Sequence, residues 1–273
     1  MLNREDYEEP RCPFDTSAYA PQPPVESVPI PRIIEKLDEH LGRNDYEAAE
    51  KLLLYWEQEA INGRDEKGLF SLKNEMMGLY RKLGRKDEAL ASAKEALELM
   101  EKLEYGDTAA GGTCCINSAT VYKAFGMAAE ALPLFERAEK IYHEVLDKDD
   151  PQMGGLYNNM GLAMVDLGRY DEASILYAKA LNIMEKADQG ELECAITYLN
   201  MADAIVAGGR ENADEQLAAL MERAYNLLNS PGLRRDGYYA FVLEKCAPIF
   251  GYYGLKDWEE ELKERAYQIY ARS

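Results

Sequence analysis

The chain has 273 residues, 47% of them apolar and 30% charged, with a formal net charge of −19. That is enough apolar material for a substantial core, which excludes a wholly disordered chain. So acidic a surface repels phosphate backbones and anionic headgroups, and no cluster of Lys and Arg is large enough to offset it, so nucleic acid and bare membrane are poor partners.

The first thirty residues stand apart from the rest. Seven of the eleven prolines lie here or just after: Pro10, Pro13, Pro21, Pro23, Pro24, Pro29 and Pro31. Proline fixes φ and removes a backbone donor, so residues 1–30 read as an extended, proline-rich tail. Tyr7, Phe14 and Tyr19 are its sticky points, and a solvated leader is the alternative. The acidic start lacks the apolar stretch of a signal peptide, and no run approaches the about 18 apolar residues of a spanning helix. The cysteines, Cys12, Cys114, Cys115, Cys194 and Cys246, show no CxxC spacing and read as reduced thiols, so a cytoplasmic protein is expected.

Residues 31–273 read as one helical repeat domain. Tyr157, Met160, Met164 and Leu167, then Ala173, Leu176, Tyr177, Ala180 and Met184, recur at steps of three and four, which places each group on one helix face. Between them Gly168 can take the positive φ that ends a helix, and Asp171 and Glu172 suit the first turn of the next. The unit is a helical hairpin. Gly42, Gly84, Gly126 and Gly168 are spaced 42 residues apart, as are Ala89, Ala131 and Ala173, and Ala96, Ala138 and Ala180. A fixed period of this kind means stacked hairpins, with small residues where helices approach closely. Six are expected, at about 31–61, 66–104, 108–148, 152–188, 190–230 and 235–272.

The segments Tyr157-Asn158-Asn159-Met160-Gly161, Leu167-Gly168-Arg169-Tyr170-Asp171-Glu172-Ala173 and Tyr177-Ala178-Lys179-Ala180-Leu181 resemble a tetratricopeptide repeat. The period of 42, and Asp150-Pro151 ahead of the helix, are similar to the repeats of kinesin light chain. The resemblance implies an all-α, right-handed superhelical stack of about six antiparallel hairpins, and a protein- or peptide-binding scaffold. It implies no cofactor.

Catalytic chemistry has little to stand on. The only histidines are His40 and His143, and His143 sits late in a helix, where a cation suits the dipole. Asp147, Asp149 and Asp150 lack the glycine and distal glutamate of a calcium loop. Gly111-Gly112 and Gly154-Gly155 lack the Lys-Ser/Thr ending of a phosphate cradle, and close helix packing explains them better. The chain does not read as an enzyme.

In a stack of this kind the first helix of each hairpin lines the concave face. Asn117, Asn159 and Asn200 occupy one equivalent place there, with Asn158 beside them. Resemblance implies that such asparagines hydrogen-bond a bound peptide's backbone, and an amide's two donors and one acceptor suit that task. The alternative is that they satisfy neighbouring helix ends or water. Replacing all three by alanine is expected to leave stability nearly intact. Asn74, Arg81, Lys82, Thr113, Thr120, Lys123, Leu162, Asp166, Leu199 and Asp203 fall on the same face, and Arg81, Lys82 and Lys123 suit an acidic or carboxylate ligand. The rival reading is a self-assembly module. Tyr238, Tyr239, Tyr252, Tyr253, Tyr267 and Tyr270, expected to be exposed near the C-terminus, would make it a homo-oligomer.

Overall fold

The computed structural model describes residues 25–209 and 213–271. The tail with Tyr7, Phe14, Tyr19 and Cys12 lies outside the described residues, as do Arg210, Glu211 and Asn212 of the turn expected after Gly209. Among the described residues there are twelve helices and no strand. They pair as α1 (Ile30–Gly42) with α2 (Tyr46–Asn62), α3 (Glu66–Lys82) with α4 (Lys86–Lys102), and α5 (Ala109–Ala124) with α6 (Ala128–Val145). Then come α7 (Pro151–Asp166) with α8 (Tyr170–Met184), α9 (Glu191–Ala207) with α10 (Asp214–Leu228), and α11 (Gly237–Tyr252) with α12 (Lys256–Tyr270). Six antiparallel hairpins stack in chain order.

The helix starts follow the capping chemistry. Asp45, Asp65, Thr108, Asp150 and Asp236 each accept from a backbone N–H in the first turn, and Pro151 occupies the position where a missing donor costs nothing. Asp65 also accepts from the Val28 N–H at 2.9 Å, and the Glu26 N–H reaches the Gly63 carbonyl at 3.0 Å. The last residues before α1 are thereby fastened to the turn between hairpins 1 and 2.

The hairpin turns need one residue with positive φ. Gly84, Gly126, Gly168, Gly209 and Gly254 supply it, with φ between 62° and 84°. Hairpin 1 departs from the expected series. Gly42 is still helical there, and Asn44 takes the left-handed place at φ 55°. Asparagine is among the few L-residues that tolerate this region. The true register of hairpin 1 is therefore Asn44 to Gly84 and Ala49 to Ala89, a step of 40.

Helix contact is made at the small residues. Ala49, Ala89, Ala131 and Ala173 are wholly buried, as are Ala96, Ala138, Ala180, Ala224 and Ala266. A Cβ on Gly161 would lie 2.4 Å from the Tyr177 ring, one on Gly112 2.4 Å from Tyr142, and one on Gly154 2.7 Å from Met184. Gly112 and Gly154, 42 residues apart, are thus equivalent close-approach positions, and packing accounts for them. Charged groups also tie neighbouring helices. Lys73 of α3 is buried and bridges Glu57 of α2 and Glu95 of α4.

Odd-numbered helices pack on one another along the stack, α1 on α3, α3 on α5, and so on to α11, and no even–even pair does so to a comparable extent. The odd helices therefore sit on the inside of the curve. The apolar core falls into two clusters, one running from hairpin 1 through hairpin 4 and reaching Ala204 of α9, and one through hairpins 5 and 6.

Hairpin 6 corrects one expectation. Tyr239 is buried, because its hydroxyl donates to the Leu228 carbonyl at 2.9 Å and receives Arg265 at 2.8 Å. That small network joins hairpin 6 to the end of α10. Tyr238, Tyr252 and Tyr267 are exposed, while Tyr253 and Tyr270 are half-buried.

Gly161→Leu is expected to cost about 3 kcal/mol, since Tyr177 is walled in and cannot yield. Gly155→Ala is the contrast, because nothing lies within 4 Å of its Cβ. Alanine there should gain up to about 1 kcal/mol of helix propensity. Urea denaturation of both variants measures the difference.

Candidate binding groove

The inner face is set by the distance back from each turn residue. Nine residues before Gly126, Gly168 and Gly209 stand Asn117, Asn159 and Asn200, and ten before Gly84 and Gly168 stand Asn74 and Asn158. The two rows meet across adjacent odd helices. Asn117 Nδ2 donates to Asn74 Oδ1 at 3.3 Å, and Asn200 Nδ2 donates to Asn158 Oδ1 at 2.9 Å. The Asn74 amide also donates to the Phe70 carbonyl at 2.9 Å.

These asparagines differ in what they have left to offer. Asn158 and Asn200 are each 7% exposed and share their pocket with the buried Thr197 hydroxyl, 3.2 Å from Asn158 Oδ1. Their amides bridge α7 and α9 inside the stack. Asn117 is half-buried and bonded to Asn74, and Asn159 is half-buried with no side-chain hydrogen bond among the described residues. Replacing Asn200 therefore perturbs the fold as well as any ligand. Leu199, expected on the groove face, is wholly buried in the core of hairpins 5 and 6, one helix step of about 100° away from the asparagine row.

Three cations lie toward the C-terminal ends of the inner helices. Lys123 meets Asp166 of the next inner helix at 3.4 Å, beside a recess of about 560 Å³ lined by Ala124, Gly126 and Glu130 among others. Arg81 holds the same register place as Lys123, three residues before the turn glycine. The residue on the next helix that would answer it, equivalent to Asp166, is Ala124. Arg81 has no ion-pair partner among the described residues. It is exposed, yet loss of solvent pushes its pKa down from the usual value. A concave wall explains that combination, since surrounding protein withdraws water without covering the group. Lys82, also exposed, lies over aromatic rings instead of a carboxylate, 4.9 Å from the Tyr46 centroid.

Desolvation marks other groups. Asp203 accepts from the Tyr253 hydroxyl at 2.9 Å, yet burial raises its pKa. Tyr177 has a buried hydroxyl without a partner among the described residues, and burial, then the charges of Asp203 and Asp166, drives its pKa up. Thr113 and Thr120 bond back to the carbonyls one turn earlier, Ala109 and Ile116. Glu75 went unnoticed in the sequence, although it stands in the Asn117 register. Its pKa is raised, first by burial and then by Asp38. The thiols of Cys114, Cys115, Cys194 and Cys246 are free and buried, and burial raises the pKa of each, Cys115 to about 11. None is set up as a nucleophile.

Two comparisons place this architecture. Models of the tetratricopeptide repeat match residues 78–102 and 112–186. The structure is similar to that of BtubC (BKLC) from P. vanneervenii, with a TM-score of 0.62 at 19% identity, over 76% of this chain and 84% of that one. It is also similar to the kinesin light chain TPR-like repeats of Podosopora anserina, with a TM-score of 0.50 at 18% identity, over 73% of this chain and 94% of that one. No curated protein matches the sequence.

Asn158→Ala is expected to destabilise the protein by about 1–3 kcal/mol, because the buried Asn200 amide then lacks its acceptor. Asn159→Ala should fall within about 0.5 kcal/mol of the parent. Chemical denaturation of the pair separates the structural amide from the available one. A second expectation concerns Glu75. A carboxyl whose folded pKa is raised holds its proton more tightly folded than unfolded, so ionising it costs stability as pH rises from the ordinary value of 4.5 to the raised one. Glu75→Gln should therefore melt higher than the parent at neutral pH. That advantage should vanish below the ordinary carboxylate value, and thermal melts across this range measure it.

Proposed function

We propose that this chain, a tetratricopeptide-repeat protein with repeats similar to those of kinesin light chain, is a non-enzymatic scaffold that binds an extended segment of another protein in the groove of its odd-numbered helices. The repeat family mediates protein interaction in general. What supports use of the groove here is Arg81, an unpaired and partly desolvated cation in a chain of net charge −19. A carboxylate from a partner would supply the counter-charge that Ala124 cannot, with Lys82 and Lys123 close in register. The free amide of Asn159 and the half-buried amides of Asn74 and Asn117 would meet the ligand's backbone, which fits a binder of extended chain with little demand on its sequence. The buried Asn158 and Asn200 would hold the inner helices in place for it. No helix among the described residues is long and apolar enough to cross a membrane. The four free, buried thiols fit work in the reducing cytoplasm.

A second reading, self-assembly, draws on Tyr252 and Tyr267, which are 77% and 68% exposed on the last hairpin. Light scattering distinguishes the two. A monomer at working concentration supports the groove reading, and a dimer abolished by Tyr252→Ser with Tyr267→Ser supports assembly.

Affinity capture with cross-linking and mass spectrometry tests the groove directly. Arg81→Glu combined with Asn159→Ala is expected to weaken capture of the natural partner by at least about tenfold, the value of a charge-assisted hydrogen bond. Lys94→Glu, on an exposed place of the outer helix α4, should leave capture unchanged. Equal loss in both variants would argue against the groove.

A further inference from the structure

Lys82 joins parts of the chain that are far apart in sequence. Its ammonium lies 4.9 Å from the ring centroid of Tyr46 and 5.9 Å from that of Phe241. Tyr46 opens α2 in hairpin 1, Lys82 closes α3 in hairpin 2, and Phe241 lies near the start of α11 in hairpin 6. The Phe241 ring stacks on Tyr238 at 6.3 Å. Tyr46 also lies close enough to Tyr270 of α12 for its charge to oppose ionisation of that phenol. The stack thus curves until its last hairpin returns to its first two. Little else holds it there: no helix of hairpins 1 and 2 packs extensively on one of hairpin 6. In a chain of 50 acidic residues Lys82 has no carboxylate partner among the described residues, and its charge is spent on the two rings.

We propose that Lys82 is a clasp, gripped between Tyr46 and Phe241, which holds the two ends of the stack together and closes the groove into a ring that opens to admit a ligand. The clasp stands on the geometry alone, while its role as a gate rests on the reading of the groove as the binding surface. A cation over aromatic faces shifts a two-state balance by roughly tenfold, enough to favour closure and weak enough to be reversed. A closed ring also selects its ligand. It fits a single extended chain and turns away a folded domain. A ligand carboxylate at Arg81, the neighbouring residue, would compete with the rings for Lys82 and so favour opening.

Both halves are testable without the natural ligand, so their outcome does not depend on whether the partner is ever captured. For the clasp, spin labels at Lys86→Cys and Arg235→Cys, exposed places on either side of it, report the distance between hairpins 2 and 6 in the full chain with Cys12→Ser. A narrow distance distribution is expected for the parent. Lys82→Gln and Phe241→Ala should each broaden it toward longer distances, while Lys82→Arg and Phe241→Tyr, which keep cation and ring, should not. An unchanged distribution in both Lys82→Gln and Phe241→Ala, with melting intact, overturns the clasp. For the gate, Gly78→Cys places a thiol on the face of α3 one turn before Lys82, where a Cβ meets nothing within 4 Å. N-ethylmaleimide should react readily in all forms. A maleimide on a long polyethylene glycol should react slowly in the parent and roughly tenfold faster in Lys82→Gln and Phe241→Ala, matching the shift in balance. Labels that separate with no change in the bulky reagent's rate leave a clasp and overturn the gate.

Discussion

Everything in this fold depends on how near the two helices of a hairpin can come. At Gly161 the backbone approaches until the Tyr177 ring fills the space a side chain would take. The same place, seven residues before each turn glycine, holds Met77, Ala119 and Ala202 in the neighbouring hairpins. At the place of Tyr177 on the second helices stand Ala93, Phe135 and Met221, the last displaced by the longer turn of hairpin 5. All six are buried. In hairpins 2 to 5, where the first helix carries a large residue the second carries a small one, and the reverse, whereas hairpin 1 pairs Leu37 with Leu53. In hairpins 2 to 5 the interhelix gap is held by the sum of two side chains, so the period survives although neither place keeps one residue type throughout. A gap held in this way lets these four hairpins stack on one another in a regular series.

Between hairpins 4 and 5 the stack uses a different bond. The apolar core divides there, and Asn158, Thr197 and Asn200 lie buried in the seam with their hydrogen bonds made to one another. Polar groups taken out of water in this way are nearly neutral when satisfied and costly when one partner goes, so the seam specifies alignment more than it adds stability. It fixes α9 against α7 in a single register.

The period was legible because turn chemistry leaves glycine at a fixed place, and Gly84, Gly126 and Gly168 carried it. Hairpin 1 was misread by two residues because Asn44 does the work of glycine, and a glycine two positions earlier falls by coincidence on the 42-residue grid. Helix faces were less legible than helix existence. A step of one residue turns a side chain by about 100°, and that step carries Leu199 into the core of hairpins 5 and 6. Which asparagines are free depends on partners in the next helix, Asn74 for Asn117 and Asn158 for Asn200, and that pairing appears only when the helices are set side by side. Tyr239 looked like its exposed neighbours in sequence, and only Arg265 and the end of α10, far along the chain, explain its burial.

Charge follows the same logic of neighbours. The chain is acidic, and many of its cations are taken up between adjacent helices or hairpins: Arg85 with Glu50, Lys102 with Glu66, Arg137 with Glu101, Lys123 with Asp166, Lys186 with Asp149 and Arg234 with Asp188. Most of these pairs are exposed, and each adds little to stability. Their larger effect is on the field. A paired cation offers little to an outside anion, so the available positive potential depends on where pairing fails. It fails at Arg81 because Ala124 stands where Asp166 stands one hairpin later, and at Lys82 because two aromatic rings hold it. Both residues lie at the end of one inner helix, on the concave side, where surrounding protein has already removed part of the water. An acidic ligand that reached this place would find at Arg81 a cation that no carboxylate among the described residues has taken up.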